Sequence, residues 1–317
     1  MASLLERKLI VVAGKGGAGK STVACALGIL AARSGLRAVV AELGEQQRLP
    51  ALFGVPEASE PGAEVELEEG LWSTCIDPEM ALFEWLRTVS GRISARMLSA
   101  SSTFNYFAAA APGAKELMSM VKVCELCEGA RARKDRDPYD LVILDAPATG
   151  HALALLHSPQ TFGSIVRMGP LAEQARKARE LLEDPLRSGY VAVAHANELA
   201  VAETLELEYG VRESLGRDLD AVVVNGTLPR RFTRDELRRV AALEHDHPAI
   251  ESAQRAATAV HARAAIQQAQ IARLRRATTN REKSLTIFSV PFVFASEFDL
   301  RIVNEIAALL RRKLSYA

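Results

Sequence analysis

The sequence predicts an α/β fold, a doubly wound and mostly parallel sheet with helices on both faces and an inserted helical subdomain. Three observations lead there. Short apolar runs alternate with helical patterns in the first half of the chain, as βαβ units require. The first run leads at once into a glycine-rich turn and an Ala- and Leu-rich helix. Further apolar runs, the clearest ending in a carboxylate, recur almost to the C-terminus.

Taken in order, Leu9 to Ala13 reads as a buried strand, Ser21 to Ser34 as a helix closed by Gly35, and Ala38 to Glu42 as the second strand. Glu45 to Glu69 is acidic and rich in Pro and Gly, which predicts loop with one helical turn at most. Leu71 to Ile76 is a short strand ending at Asp77-Pro78. Apolar residues on one side of Glu79 to Leu98 predict a helix, Ser99 to Pro112 a linker, and Ala114 to Arg133 a second helix. Leu141 to Asp145, Tyr190 to Ala194, Ala221 to Asn225 and Leu285 to Val290 complete the strands. Helix is expected after Gly150, up to Leu215, and from Leu300 to Leu314, the last amphipathic. Residues 233–280 read as a solvated helical hairpin broken at His247-Pro248. The organisation is one domain over 1–317, with 79–133 and 155–185 forming the helical subdomain.

Composition limits the function. The 39 Lys and Arg balance the 39 Asp and Glu, which argues against a general nucleic-acid binder. Leu9 to Ala13 is too short for a signal sequence and no window suits a membrane span, so a cytoplasmic protein with at most transient membrane association is expected. Cys25, Cys75, Cys124 and Cys127 are too few and uneven for a disulfide framework.

The chemistry lies in the first turn. Gly14-Lys-Gly-Gly-Ala-Gly-Lys20-Ser21 matches G-x-x-x-x-G-K-[ST], between a strand and a helix as the motif demands. Glycines at 14, 16, 17 and 19 let the backbone N–H groups turn inward on phosphate oxygens, with Ala18 among them, and the helix starting near Lys20, Ser21 and Thr22 adds its positive end. Lys20 would reach the β/γ-phosphates and Ser21 would ligate Mg²⁺. Asp145, ending its strand, suits the carboxylate that serves the metal. ATP and Mg²⁺ are the implied ligands.

Lys15 is not needed by an ordinary phosphate loop. With it, Gly14 to Thr22 resembles the deviant Walker A of the dimerising ATPases, in which the extra lysine reaches the partner's nucleotide. Asp145-Ala-Pro-Ala-Thr-Gly-His-Ala-Leu-Ala-Leu-Leu156 resembles the switch II of the arsenical-pump (ArsA) family, which also contains the ATPase delivering tail-anchored membrane proteins. Cys75-Ile-Asp77-Pro78, Pro112-Gly113-Ala-Lys-Glu116-Leu-Met-Ser119 and Val222-Val-Val-Asn225 are similar to further family motifs in the right order. The resemblance implies a Mg-dependent ATPase working as a homodimer or with a paralogue. It gives Asn225 the adenine, the backbone near Pro291 to Val293 the edge of the base, and His151 a conformational role. Nitrogenase iron protein is disfavoured because the cysteine that closely follows its switch II aspartate has no counterpart after Asp145, and partitioning ATPases lack the Thr-Gly-His switch.

The departures are informative. Where the family's switch I carries the aspartate that positions water, this chain has Glu42-Leu-Gly-Glu-Gln46. Glu42 is a candidate base with one more methylene; Glu45 serving instead, slow hydrolysis, or a loop-ordering Glu42 are the alternatives. Cys124 and Cys127 could complete a zinc site across a dimer but more simply pack in the core, and they lie elsewhere than the family's interfacial pair. The cysteines do not match those of arsenite binding, which disfavours efflux. Met80, Leu82, Phe83, Trp85, Leu86, Met97, Met118 and Met120 could line a groove for a hydrophobic protein client, against the simpler reading of core. A targeting factor for hydrophobic segments is the leading expectation, and a regulatory or positioning switch on a protein partner the alternative.

Overall fold

The computed structural model describes residues 4–44, 47–58, 60, 62–84, 113–129, 138–165, 168–243, 247–279 and 285–314. Its strands are β1 (Leu9–Gly14), β2 (Ala38–Leu43), β3 (Val65–Glu68), β4 (Leu71–Ile76), β5 (Leu141–Ala148), β6 (Ser188–His195), β7 (Ala221–Thr227) and β8 (Thr286–Pro291). They form one sheet in the order β3-β4-β2-β5-β1-β6-β7-β8. All neighbours run parallel except β3, which turns back antiparallel on β4. The fold class is therefore the one the sequence predicts.

The central strands are apolar along most of their length because both faces are covered. All six residues of β1 are buried. One face is covered by α1 (Lys20–Arg33) and α9 (Leu300–Leu314), with the short α2 (Leu49–Phe53) beyond them. α1 lies so close that a Cβ on Gly28 would stand 2.8 Å from Leu71 Cδ1 and 3.0 Å from Val40 Cγ2. The other face carries α3 (Ala114–Glu128), α4 (Thr149–Ile165), α5 (Pro170–Glu183) and α6 (Glu198–Leu215), all in one continuous core with the sheet. α7 (Arg234–Ala241) and the long α8 (Pro248–Ala277) follow β7. α7 buries no residue and is tied to α8 by Gln254, while α8 buries Ala264, Ile271 and Leu274, the last two in the core shared with the sheet.

Two stretches differ from expectation. The acidic segment after β2 contains β3 as well as the helical turn α2. Val65-Glu-Leu-Glu68 alternates, burying Leu67 and leaving Glu66 exposed, a pattern suited to an edge strand that the surrounding Pro and Gly obscure. α3 stops at Glu128 because Gly129 takes the left-handed conformation at φ 67. The predicted linker, most of the helix before it, Trp85, Leu86, Met97, Pro112 and Glu45 lie outside the described residues.

Candidate nucleotide site

β1 ends in the middle of the sheet, with β5 on one side and β6 on the other. At that point its chain must leave between two strands, and glycine makes this feasible. Gly14 has φ 143, and a Cβ there would stand 2.1 Å from the Val193 carbonyl oxygen of β6. Gly19, at φ 94 just before α1, would drive a Cβ to 2.3 Å from Asn225 Nδ2. Gly16 and Gly17 have open space where a Cβ would be, and both are exposed. The loop is thus clamped at its ends and free on its outer face, as a phosphate cradle must be.

Beside it, Ser21 in the first turn of α1 donates its hydroxyl to Asp145 Oδ2 at 2.5 Å. The other carboxylate oxygen, Oδ1, is buried without a partner. Burial pushes the Asp145 carboxyl up from the usual range, against the pull of the Ser21 hydrogen bond and the Lys20 and Arg48 charges. Burial likewise pushes the Lys20 ammonium down, with Asp145 acting the other way. Lys20 Nζ donates to the Lys15 carbonyl at 3.4 Å, so it is folded back over the loop. Thr149, beside Ala148 (the register partner of Gly14), adds a second buried oxygen without a partner, its hydroxyl. Unpartnered buried oxygens beside a hydroxyl and an ammonium are a donor set suited to a hard cation and phosphate. The residues fit Mg²⁺ and a nucleotide.

The remaining predicted residues have distinct surroundings. Lys15 forms an ion pair with Glu203 on α6 of the same chain. Glu42 is the register partner of Asp145, yet its buried carboxylate accepts from the backbone N–H groups of Arg48, at 3.0 Å, and Leu49, at 3.4 Å. It caps the entry to α2 and is pushed up by burial. Asn225 turns its amide onto the loop, Nδ2 donating to the Ala18 carbonyl at 2.9 Å. Pro291 ends β8 in a cleft of about 470 Å³ lined also by Thr227, Leu228, Arg230 and Ser289. His151 is exposed in the first turn of α4. Cys124 and Cys127 are buried in the core, and burial pushes the Cys127 thiol up to about 12. Met118 and Met120 are buried there too, while Met80 and Phe83 are exposed.

Sequence reasoning missed three residues that hold the site. His195, Glu203 and Gln267 all reach it from elements remote in the chain. None belongs to a motif, so no local signal announces them.

A glycine-clamped loop at the carboxyl end of a central parallel strand, with a Ser–Asp pair beside its lysine, defines a P-loop NTPase. Similarity narrows the class. Residues 7–171 match the anion-transporting ATPase family, ArsA_ATPase, and the chain belongs to that family. It is 28% identical to ATPase BagA of Mycobacterium tuberculosis over 254 residues, covering 77% of this chain and 72% of that protein. With the arsenical pump-driving ATPase of Escherichia coli the identity is 24%, over 75% of this chain and 42% of the other. With ATPase ASNA1 homolog 1 of Paramecium tetraurelia it is 31%, over 48% and 44%. The protein is therefore an ATPase, and ATP is its nucleotide. No helix among the described residues is long and apolar enough to cross a membrane.

Proposed function

We propose that this ATPase works as a nucleotide-switched dimer of the targeting type, with Lys15 serving the nucleotide of the partner copy. The ion pair between Lys15 and Glu203 carries the reading. Lys15 sits on the rim of the loop, one-third exposed, with its ammonium drawn onto α6 and away from its own cradle. An ion pair of this kind near the surface is worth about 0–1 kcal/mol, so docking of a second copy can open it cheaply. Glu203 then acts as the resting partner of a lysine whose working partner is in trans.

Within each copy, Gly16 to Thr22 hold the phosphates and Lys20 unfolds from the Lys15 carbonyl to meet them. Ser21 and Asp145 would hold Mg²⁺, which supplies neutralisation of phosphate charge when bound. Asn225 Oδ1 remains able to accept from the adenine amine, and the Pro291 backbone edges the base. Glu42 can act as base on water only by releasing the N–H groups of Arg48 and Leu49, so hydrolysis is coupled to movement of the α2 entry. The dimer is a homodimer or a pair with a paralogue, and Met80 presents exposed apolar surface to a client.

Sedimentation of wild type, Lys15→Ala and Glu203→Gln with ADP, ATP and a non-hydrolysable analogue tests this, with phosphate release in parallel. ATP-dependent dimers that are lost in Lys15→Ala and favoured in Glu203→Gln are expected. Identical monomers in every state, with normal turnover, would sink the trans role.

The second reading, a positioning switch on a protein partner without a client groove, has one observation of its own. Met118 and Met120 are packed in the core under the sheet and are withdrawn from any groove. Retention of a fluorescent apolar helical peptide by the ATP-bound dimer would select the targeting role; dimers that ignore it would select the switch.

A further inference from the structure

β6 ends at His195, whose ring lies between the phosphate loop and the strand that approaches the base. Its Nε2 is 3.2 Å from the Gly17 carbonyl oxygen. Its Nδ1 is 3.2 Å from the Asn225 carbonyl oxygen. Both neighbours are acceptors with no hydrogen to give. A neutral imidazole carries one N–H and can satisfy one of them, whereas an imidazolium donates to both. The next carbonyl of the loop, Ala18, accepts from Asn225 Nδ2. Two successive loop carbonyls are therefore held from the β6–β7 side.

That restraint bears on ligand binding through peptide geometry. In a trans peptide the C=O and the following N–H point in opposite directions. Drawing the Gly17 and Ala18 carbonyls toward β6 and β7 turns the Ala18 and Gly19 N–H groups to the opposite side of the loop. There Ala18 N–H donates to the Lys15 carbonyl at 3.2 Å, the same oxygen that Lys20 Nζ meets. The side that His195 prepares is the side where the lysine lies.

We infer that His195 is a positioning residue for the nucleotide: as an imidazolium it bridges the Gly17 and Asn225 carbonyls, ties the phosphate loop to the base strand, and makes nucleotide affinity depend on its protonation. The inference rests on this loop being the nucleotide cradle. Charged groups on the surrounding elements are few. The loop and the start of α1 carry Lys15 and Lys20, the first two turns of α6 carry Glu198 and Glu203, and β1 and β7 carry none. The segment after β8 presents Phe292 near the ring, with Glu297 and Asp299 further along. Lys15 pairs with Glu203 and Asp299 with Arg301, so Lys20, Glu198 and the more distant Glu297 are the charges left to oppose or favour the imidazolium.

ADP binding by wild type and His195→Gln, measured by calorimetry from about pH 5.5 to about pH 8.5, tests it across the range where imidazoles titrate. Glutamine keeps a donor but cannot donate from both ends of a ring. Wild type is expected to bind roughly tenfold more tightly than the variant at the acid end, about the effect of one hydrogen bond from a charged donor. The ratio should approach one at the alkaline end. The phosphate of ADP titrates in the same range, but equally for both proteins, so the ratio isolates the side chain. A ratio constant with pH would leave His195 a merely structural role and overturn the inference. Ring nitrogen NMR of the wild type needs no variant: two N–H protons on His195 at the acid end support the bridge, and a single tautomer at every pH refutes it. Failure of both proteins to bind ADP would overturn the cradle reading itself, which the first outcome leaves intact.

Discussion

The phosphate side of the site and its base side are held by different means. Around the loop after β1 the chain is packed until only glycine fits, with Gly14 against the Val193 carbonyl of β6 and Gly19 against the Asn225 side chain. Around β7 and β8 the cleft is open, and its walls are fixed by side-chain amides. Gln267 on α8 accepts from Leu228 N–H at 2.7 Å and donates to the Gly226 carbonyl at 3.0 Å. Highly charged phosphates need a rigid ring of donors, and a flat neutral base needs little more than a wall. The difference teaches where a change will be felt.

The largest effect is expected from a methyl group on each side. Gly14→Ala forces a left-handed φ and a backbone clash at 2.1 Å, so it should cost about 3 kcal/mol or more and abolish phosphate release. Gly226→Ala, at φ 69 with its nearest neighbour 3.5 Å away, should cost only about 1 kcal/mol and leave turnover measurable. Chemical denaturation of both variants gives the comparison, which breaks if the two losses are alike.

A second test uses charge. The buried, half-unpartnered Asp145 carboxylate is held above its ordinary range, so its ionised form opposes folding when no ligand is present. Asp145→Asn should raise the stability of nucleotide-free protein at neutral pH by about 1 kcal/mol while greatly reducing ATP turnover. The sign follows from linkage. The carboxyl binds its proton more tightly folded than unfolded, so the cost of its charge is full above the folded pKa and vanishes below the unfolded one, near pH 3.9. The gain in the variant should therefore fade as pH drops. Thermal melts across pH, with chelator, would show it; a gain independent of pH would mean packing rather than charge.

The smallest effect sharpens the base side. Gln267→Ala removes both amide contacts from a neutral, partly exposed wall, at about 1 kcal/mol. KM for ATP should rise about fivefold with kcat unchanged, because the phosphates stay in register. A fall in kcat instead would show that the hairpin helix reaches the chemistry.

The same contrast explains what was legible in the sequence. The phosphate side is written locally: the glycines, Lys20 and Ser21 are neighbours in the chain, and Asp145 ends an unmistakable apolar run. The parallel strands were legible for the same reason, since each is a short apolar run flanked by helical patterns. β3 was not, because its apolar face is only Val65 and Leu67 within an acidic, Pro-rich stretch. Glu42 could be placed but its partners could not: the N–H groups that it caps come from a turn that only the tertiary fold brings under the carboxylate. His195, Glu203 and Gln267 act through contacts that cross the sheet, and nothing in their local sequence distinguishes them from ordinary surface residues.

The position of β1 in the sheet also fixes an order in time. It precedes the other strands of the sheet in the chain, yet its neighbours are β5, at 141–148, and β6, at 188–195. Val193, the wall behind Gly14, and Asn225, the brace of Ala18, leave the ribosome long after the loop they support. Pairings so distant in sequence are slow to form. The loop is thus made well before the parts that complete it, and a nascent chain cannot engage nucleotide until synthesis has passed Asn225.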